Sequence, residues 1–94
     1  MDKMEPIELP IDDTLDLHTF QPREAAALIT DYIAECRRHN ILEIRIIHGK
    51  GTGSLRRTVH ATLEKLPEVL SFHLADESAG SWGATLVSLK PIHN

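Results

Sequence analysis

The chain has one cysteine, four aromatic residues and no apolar stretch long enough to cross a bilayer, and each scarcity removes a class of protein. Cys36 alone can form no internal disulfide and no CxxC metal pair. It falls on the apolar side of an expected helix and reads as a core thiol. The six histidines include no pair at HxxxH or HExxH spacing, so a structural zinc site is not expected. Met1-Asp2-Lys3-Met4-Glu5 has neither a basic lead nor an apolar run, which makes the cytoplasm the default compartment.

Acidic residues are missing from one place in particular. None occurs between Glu43 and Glu64, while Arg45, Lys50, Arg56 and Arg57 all do. Residues 1–17 hold six acids (Asp2, Glu5, Glu8, Asp12, Asp13, Asp16) against Lys3, a local charge of −5 in a chain of −4. A net negative charge argues against a nucleic-acid partner. A basic centre beside an acidic arm keeps phosphate binding open.

What is present is one small domain's worth of residues: 94 in all, 41% apolar and 26% charged. Residues 1–12, with Pro6, Pro10 and alternating Ile7, Leu9 and Ile11, suit an extended acidic arm, and 13–94 a single domain. Leu15-Asp16-Leu17-His18 alternates as a strand, which puts Asp16 and His18 on one face. Thr19 as cap and Pro22 in the first turn open a helix striped by Ala25, Leu28, Ile29, Tyr32, Ile33 and Cys36, and Asn40 stops it. Ile41–Ile47 reads as a strand. Ser54 is placed to cap a second helix striped by Leu55, Val59, Leu63 and Leu66, which Pro67 ends. Val69–Leu74 and Ala84–Leu89 read as strands around a polar loop. The order is strand-helix-strand-helix-strand-strand, an α/β two-layer sandwich with a four-stranded mixed sheet and both helices on one face.

The loop His48-Gly49-Lys50-Gly51-Thr52-Gly53 joins a strand to a helix. Its glycines let the backbone approach an anion, and the helix N-terminus adds a favourable dipole. Lys50, Arg56 and Arg57 supply positive charge. The spacing is neither GxxxxGK[ST] nor GxGxxG, so no standard nucleotide fingerprint is present, and the alternative is a plain turn with solvated basic side chains. If the first two strands are parallel, His48 reaches the same sheet edge as Asp16 and His18. That group suits acid–base chemistry on a phosphodiester. His39 and His60 are expected to be exposed on helices, His73 lies in a strand and His93 in the tail. Trp82 suits either stacking on a base or packing on the sheet.

Leu15-Asp16-Leu17-His18, Ile47-His48-Gly49-Lys50-Gly51-Thr52-Gly53 with Leu55-Arg56, and Gly80-x-Trp82-Gly83-Ala84-Thr85-x-Val87 occur in that order. Together they resemble the Smr (small MutS-related) domain, of stand-alone type, over about residues 13–90. The resemblance implies a sandwich like the C-terminal domain of bacterial initiation factor three. It also implies binding of RNA or DNA, with endonuclease activity in several members and the ribosome as one possible partner. By the resemblance Asp16 and His18 match the catalytic pair and the His48-Gly49-Lys50-Gly51 loop the phosphate-binding site. The residues themselves add His48 as a second catalytic acid/base or phosphate ligand, and Thr52, Gly53, Arg56 and Arg57 to the phosphate-binding segment. No cofactor is required on RNA, where the 2′-hydroxyl is the nucleophile; on DNA a divalent ion such as Mg held by Asp16 enters. Thr19-Phe20 departs from the family's glycine after the histidine, so a non-catalytic binding module for nucleic acid or the ribosome is the alternative. A nucleotide or anion sensor is a third reading, and oligomeric state is not readable.

Overall fold

Pro22 starts the longer helix where a missing N–H costs nothing, and four side chains at helical spacing (Ala25, Ile29, Ile33, Cys36) are buried along it. The computed structural model describes residues 12–49, 53–75 and 83–92. The arm before Asp12, Lys50, Gly51, Thr52, Gly80, Trp82 and His93 lie outside the described residues. Six elements follow in chain order: β1 (Thr14–Asp16), α1 (Pro22–Arg38), β2 (Glu43–Ile47), α2 (Ser54–Lys65), β3 (Val69–Leu74) and β4 (Ala84–Leu89). This is the expected α/β order, and the bounds of β3 and β4 are those read from the sequence.

The sheet is mixed, in the order β1-β2-β4-β3. β1 runs parallel to β2, pairing Asp16 with Ile47, and β4 runs antiparallel to both β2 and β3. Directly opposed residues share a face, so the pairs Leu15–Ile46, Ile44–Val87, Ile46–Thr85 and Phe72–Val87 mark the side that carries the helices. Leu17, Ile44, Ile46, Val87 and Leu89 from the sheet join Val59 and Leu63 of α2 and the α1 stripe in one core. Each fully buried aliphatic side chain contributes roughly 1.5–3 kcal/mol of transfer free energy. The opposite face presents Glu43, Arg45 and Ser88, and no described helix covers it.

Both helix starts differ from the sequence reading. Gln21, not Thr19, is the N-cap of α1; the Glu24 carboxylate accepts its backbone N–H at 2.9 Å. Thr19 is instead taken up in the turn closed by the Phe20 N–H on the Leu17 carbonyl, 2.9 Å. Gly53, at φ +91°, precedes α2, and Ser54 is its first residue with no side chain capping the helix. Asn40 ends α1 as expected, in the left-handed region at φ +61°. No described helix is long and apolar enough to cross a membrane.

Candidate functional site

β1 is shorter than expected, ending at Asp16, yet Asp16 and His18 still meet. The Leu17 N–H donates to the Ile47 carbonyl at 2.7 Å, carrying the parallel pairing one residue further. Leu17 is thereby fixed inward and its two neighbours outward. The Asp16 carboxylate then accepts both the backbone N–H of His18, 3.0 Å, and its ring Nδ1–H, 2.6 Å. These two bonds, the backbone one first, hold the Asp16 carboxyl below the usual carboxylate range. An ionised carboxylate only accepts, so Nδ1 carries the proton and Nε2 is the basic nitrogen. The His18 side chain is 60% exposed.

His18 sits against the glycine loop: a Cβ placed on Gly49 would lie 3.9 Å from the His18 Cβ. Gly49 is also at φ +82°, a region that L side chains rarely adopt. Its N–H, expected to face an anion, donates instead to the Gly83 carbonyl at 2.8 Å, beside the His48 N–H at 2.7 Å. One carbonyl at the start of β4 therefore anchors the loop. The approach is so close that a Cβ on Gly83 would lie 3.0 Å from the Gly49 Cα and carbonyl carbon. The late glycine of the motif is thus a packing requirement of the loop.

His48 reaches the same sheet edge as Asp16 and His18 and lines the same pocket, but its ring is buried. It continues the alternation of Ile44 and Ile46, which turns it to the helix side of the sheet, under the loop and 5% exposed. Its Nδ1–H donates to the Gly49 carbonyl, 3.1 Å, and its Nε2 meets the Thr85 hydroxyl at 2.9 Å. His60, expected to be exposed, reaches the same hydroxyl through Nε2 at 2.7 Å. A carbonyl cannot donate, so the directions follow: His60 donates to Thr85, Thr85 to His48, and His48 to Gly49. Both imidazoles are neutral in this arrangement. Burial pushes both below the ordinary histidine range; neighbouring His48 and Arg56 push His60 further down, and Glu64 opposes. Phe72 packs on the far side of His60, ring centroids 5.0 Å apart.

Sequence reasoning missed Gly83, Thr85 and His60 as parts of this site. Their signal was the spacing of Gly83 and Thr85 within the late motif; nothing local pointed to His60.

A pocket of about 310 Å³ opens where these parts meet, lined by His18, Phe20, Pro22, His48, Gly49, Gly53, Ser54, Leu55 and Arg56. The first turn of α2 forms one wall, so its dipole and the N–H groups of Leu55 and Arg56 bear on an anion there. Both arginines fold back over Gly53, where a Cβ would lie 3.3 Å from Arg56 Nη2 and 3.3 Å from Arg57 Nη1. Of the expected phosphate-binding residues, Gly49, Gly53 and Arg56 line the pocket and Arg57 stands at its edge, while Lys50, Gly51 and Thr52 lie outside the described residues. Among the described residues no three His, Cys, Asp or Glu side chains gather to hold a metal.

The Smr domain matches residues 15–90 of the chain. A relative called endonuclease MutS2, from Halothermothrix orenii, is 36% identical over 80 residues, covering 85% of this chain and 10% of its own. The chain thus spans about a tenth of the length of such relatives. The crystal structure of the Smr domain of Thermus thermophilus MutS2 superposes with a TM-score of 0.80 at 32% identity, covering 85% of this chain and all of that one. YdaL, a stand-alone small MutS-related protein from Escherichia coli, shares the fold with a TM-score of 0.77 at 24% identity, over 86% of this chain and 66% of YdaL.

Proposed function

Since the chain belongs to the Smr domain family, we propose that it binds nucleic acid at the His18–Gly49–Arg56 pocket and cleaves a phosphodiester there, with RNA as the substrate its own residues serve best. The observation that carries this is the Asp16–His18 pair, 2.6 Å apart, set against Gly49 at a pocket walled by the first turn of α2. A backbone phosphate seated there meets Arg56, with Arg57 behind it, and the positive end of the helix.

Asp16 fixes the tautomer of His18, so Nε2 accepts the proton of an attacking hydroxyl. On RNA that hydroxyl is the adjacent 2′-OH. Its oxygen bonds to phosphorus, the P–O5′ bond breaks, and a 2′,3′-cyclic phosphate and a 5′-hydroxyl result. Arg56 and the helix dipole offset the charge gathering on the phosphoryl oxygens. His48 has both nitrogens engaged, so the departing 5′ oxygen takes its proton from water. DNA offers no such internal nucleophile, and the described residues supply no three-ligand metal cradle.

The same commitment of His48 favours a second reading. With a single available imidazole, and Thr19-Phe20 following it, the pocket also suits binding without cleavage. The test is incubation with end-labelled single-stranded RNA and with supercoiled plasmid, with and without EDTA. Cleavage of RNA in EDTA, leaving cyclic phosphate ends, is expected, and His18→Ala should slow it by about 10²–10⁴-fold. Cleavage undiminished in His18→Ala overturns the mechanism. Salt-sensitive binding with no product from either substrate establishes the binding module.

A further inference from the structure

Aromatic side chains are few in this chain, and the described ones are not used alike. Tyr32 and Phe72 pack against the core, Tyr32 also holding the Asp12 carbonyl through its hydroxyl. Phe20 is 41% exposed and lines the pocket beside His18, Gly49 and Arg56. An exposed phenyl ring at the mouth of a charged pocket is unfavourable in water and gains nothing from the anion.

The backbone around Phe20 is held on both sides. Its N–H donates to the Leu17 carbonyl, 2.9 Å. Gln21 is tied to Glu24, 2.9 Å, and Pro22, with its own φ locked, keeps Gln21 extended. The ring is therefore carried on a fixed support. The pocket has two kinds of wall: Phe20, Pro22 and Leu55 are apolar, while His18, Gly49, Gly53 and Arg56 offer charge and close backbone approach. Its volume, about 310 Å³, lies at the small end of ligand pockets, ~300–1,000 Å³.

We propose that Phe20 is a base-stacking platform, so that the pocket takes a nucleotide whose base is unstacked: single-stranded nucleic acid, with the phosphate at Arg56 and the adjoining base on the Phe20 ring. This rests on the nucleic-acid reading above and adds the class of strand. A base inside a duplex keeps both faces covered by its neighbours and cannot offer one to the ring.

The test is equilibrium binding of a fluorescein-labelled 12-nucleotide single strand and of the same sequence as a perfect duplex, to wild type, Phe20→Leu and Phe20→Trp. Leucine keeps an apolar side chain and loses the π face; tryptophan keeps both. Wild type should prefer the single strand. Phe20→Leu should weaken that binding by about 5- to 30-fold, the lower part of the range for aromatic stacking on one base. Phe20→Trp should bind the strand as well as wild type, and duplex binding should be the same in all three. Wild-type binding that Phe20→Leu leaves unchanged, or that Phe20→Trp loses equally, overturns the stacking role and leaves the phosphate pocket standing. If the wild type binds neither probe at low salt, the nucleic-acid reading itself fails, and this proposal with it.

Discussion

Replacing Thr85 with valine keeps the shape of a fully buried side chain and deletes the hydroxyl that joins His60 to His48. The two imidazoles respond differently. His60 is half-buried and can turn its Nε2–H toward water. His48 is 5% exposed and held at Nδ1 by the Gly49 carbonyl, so its Nε2 is left without a partner. A buried nitrogen in that state costs about 1–3 kcal/mol, and the extra methyl of valine returns about 0.8 kcal/mol of transfer free energy. The net loss is about 0.2–2.2 kcal/mol, or roughly 1–18 °C in Tm for a domain of this size. Thermal unfolding followed by circular dichroism at pH 7.5 measures it. A cycle with His60→Leu separates the bridge from the packing, because the two changes should be less than additive. A Thr85→Val protein as stable as wild type, with additive effects in the cycle, would refute the claim that this hydroxyl holds the loop. Binding provides the functional check: with His48 free to turn, the loop loses its fixed form and single-strand affinity should fall with stability.

Acidification should act through the same pair. His48 and His60 titrate below their ordinary range in the fold, so between the unfolded value near ~6.5 and their folded values the unfolded chain binds more protons. Stability is then complete above about pH 6.5 and declines as pH falls below it, which urea midpoints at pH 7.5 and 5.5 will show; equal midpoints contradict it. Asp16 acts in the same direction at lower pH, its contribution present above the usual carboxylate range and lost as pH falls through its lowered folded value. Gly83→Ala brings a Cβ to 3.0 Å from the Gly49 backbone and should cost about 1–3 kcal/mol by overpacking while weakening strand binding; an alanine variant that binds normally removes Gly83 from the site. Arg56→Ala should lower the slope of log K against log salt by about 0.7 for each phosphate of a single strand that the variant no longer neutralises, and an unchanged slope places the phosphate elsewhere.

Much of the frame was legible because it is written in local pattern. The apolar runs Val69–Leu74 and Ala84–Leu89, parted by a polar loop, marked both strands, and the α1 stripe marked its buried face. The crossover rule put β1 beside β2 in parallel, which brings Asp16 level with Ile47 and His18 to the glycine loop. What escaped was decided at long range. His60 lies one position from the buried Val59 on α2, and only Thr85, 25 residues on, determines that it turns inward. The Gly49 N–H belongs to Gly83, 34 residues away, a bond with no trace in the loop's own sequence. His48 was legible in principle, since it has the same parity as Ile44 and Ile46; its chemistry drew attention to the open edge while its position put it under the loop. The helix starts were misplaced because two adjacent residues could serve each end, and neighbouring bonds decided between them.

β4 comes last among the described elements, yet it lies inside the sheet, between β2 and β3. Its first residues and the Gly83 carbonyl just before them hold the loop that forms after β2. A chain emerging from synthesis therefore carries Asp16, His18 and the whole basic centre long before it carries a pocket. Until β4 pairs with its neighbours, the N–H groups of His48 and Gly49 have no Gly83 carbonyl to meet and His48 no Thr85 hydroxyl. The anchored form of the loop thus depends on a strand that follows it in the chain and closes the middle of the sheet.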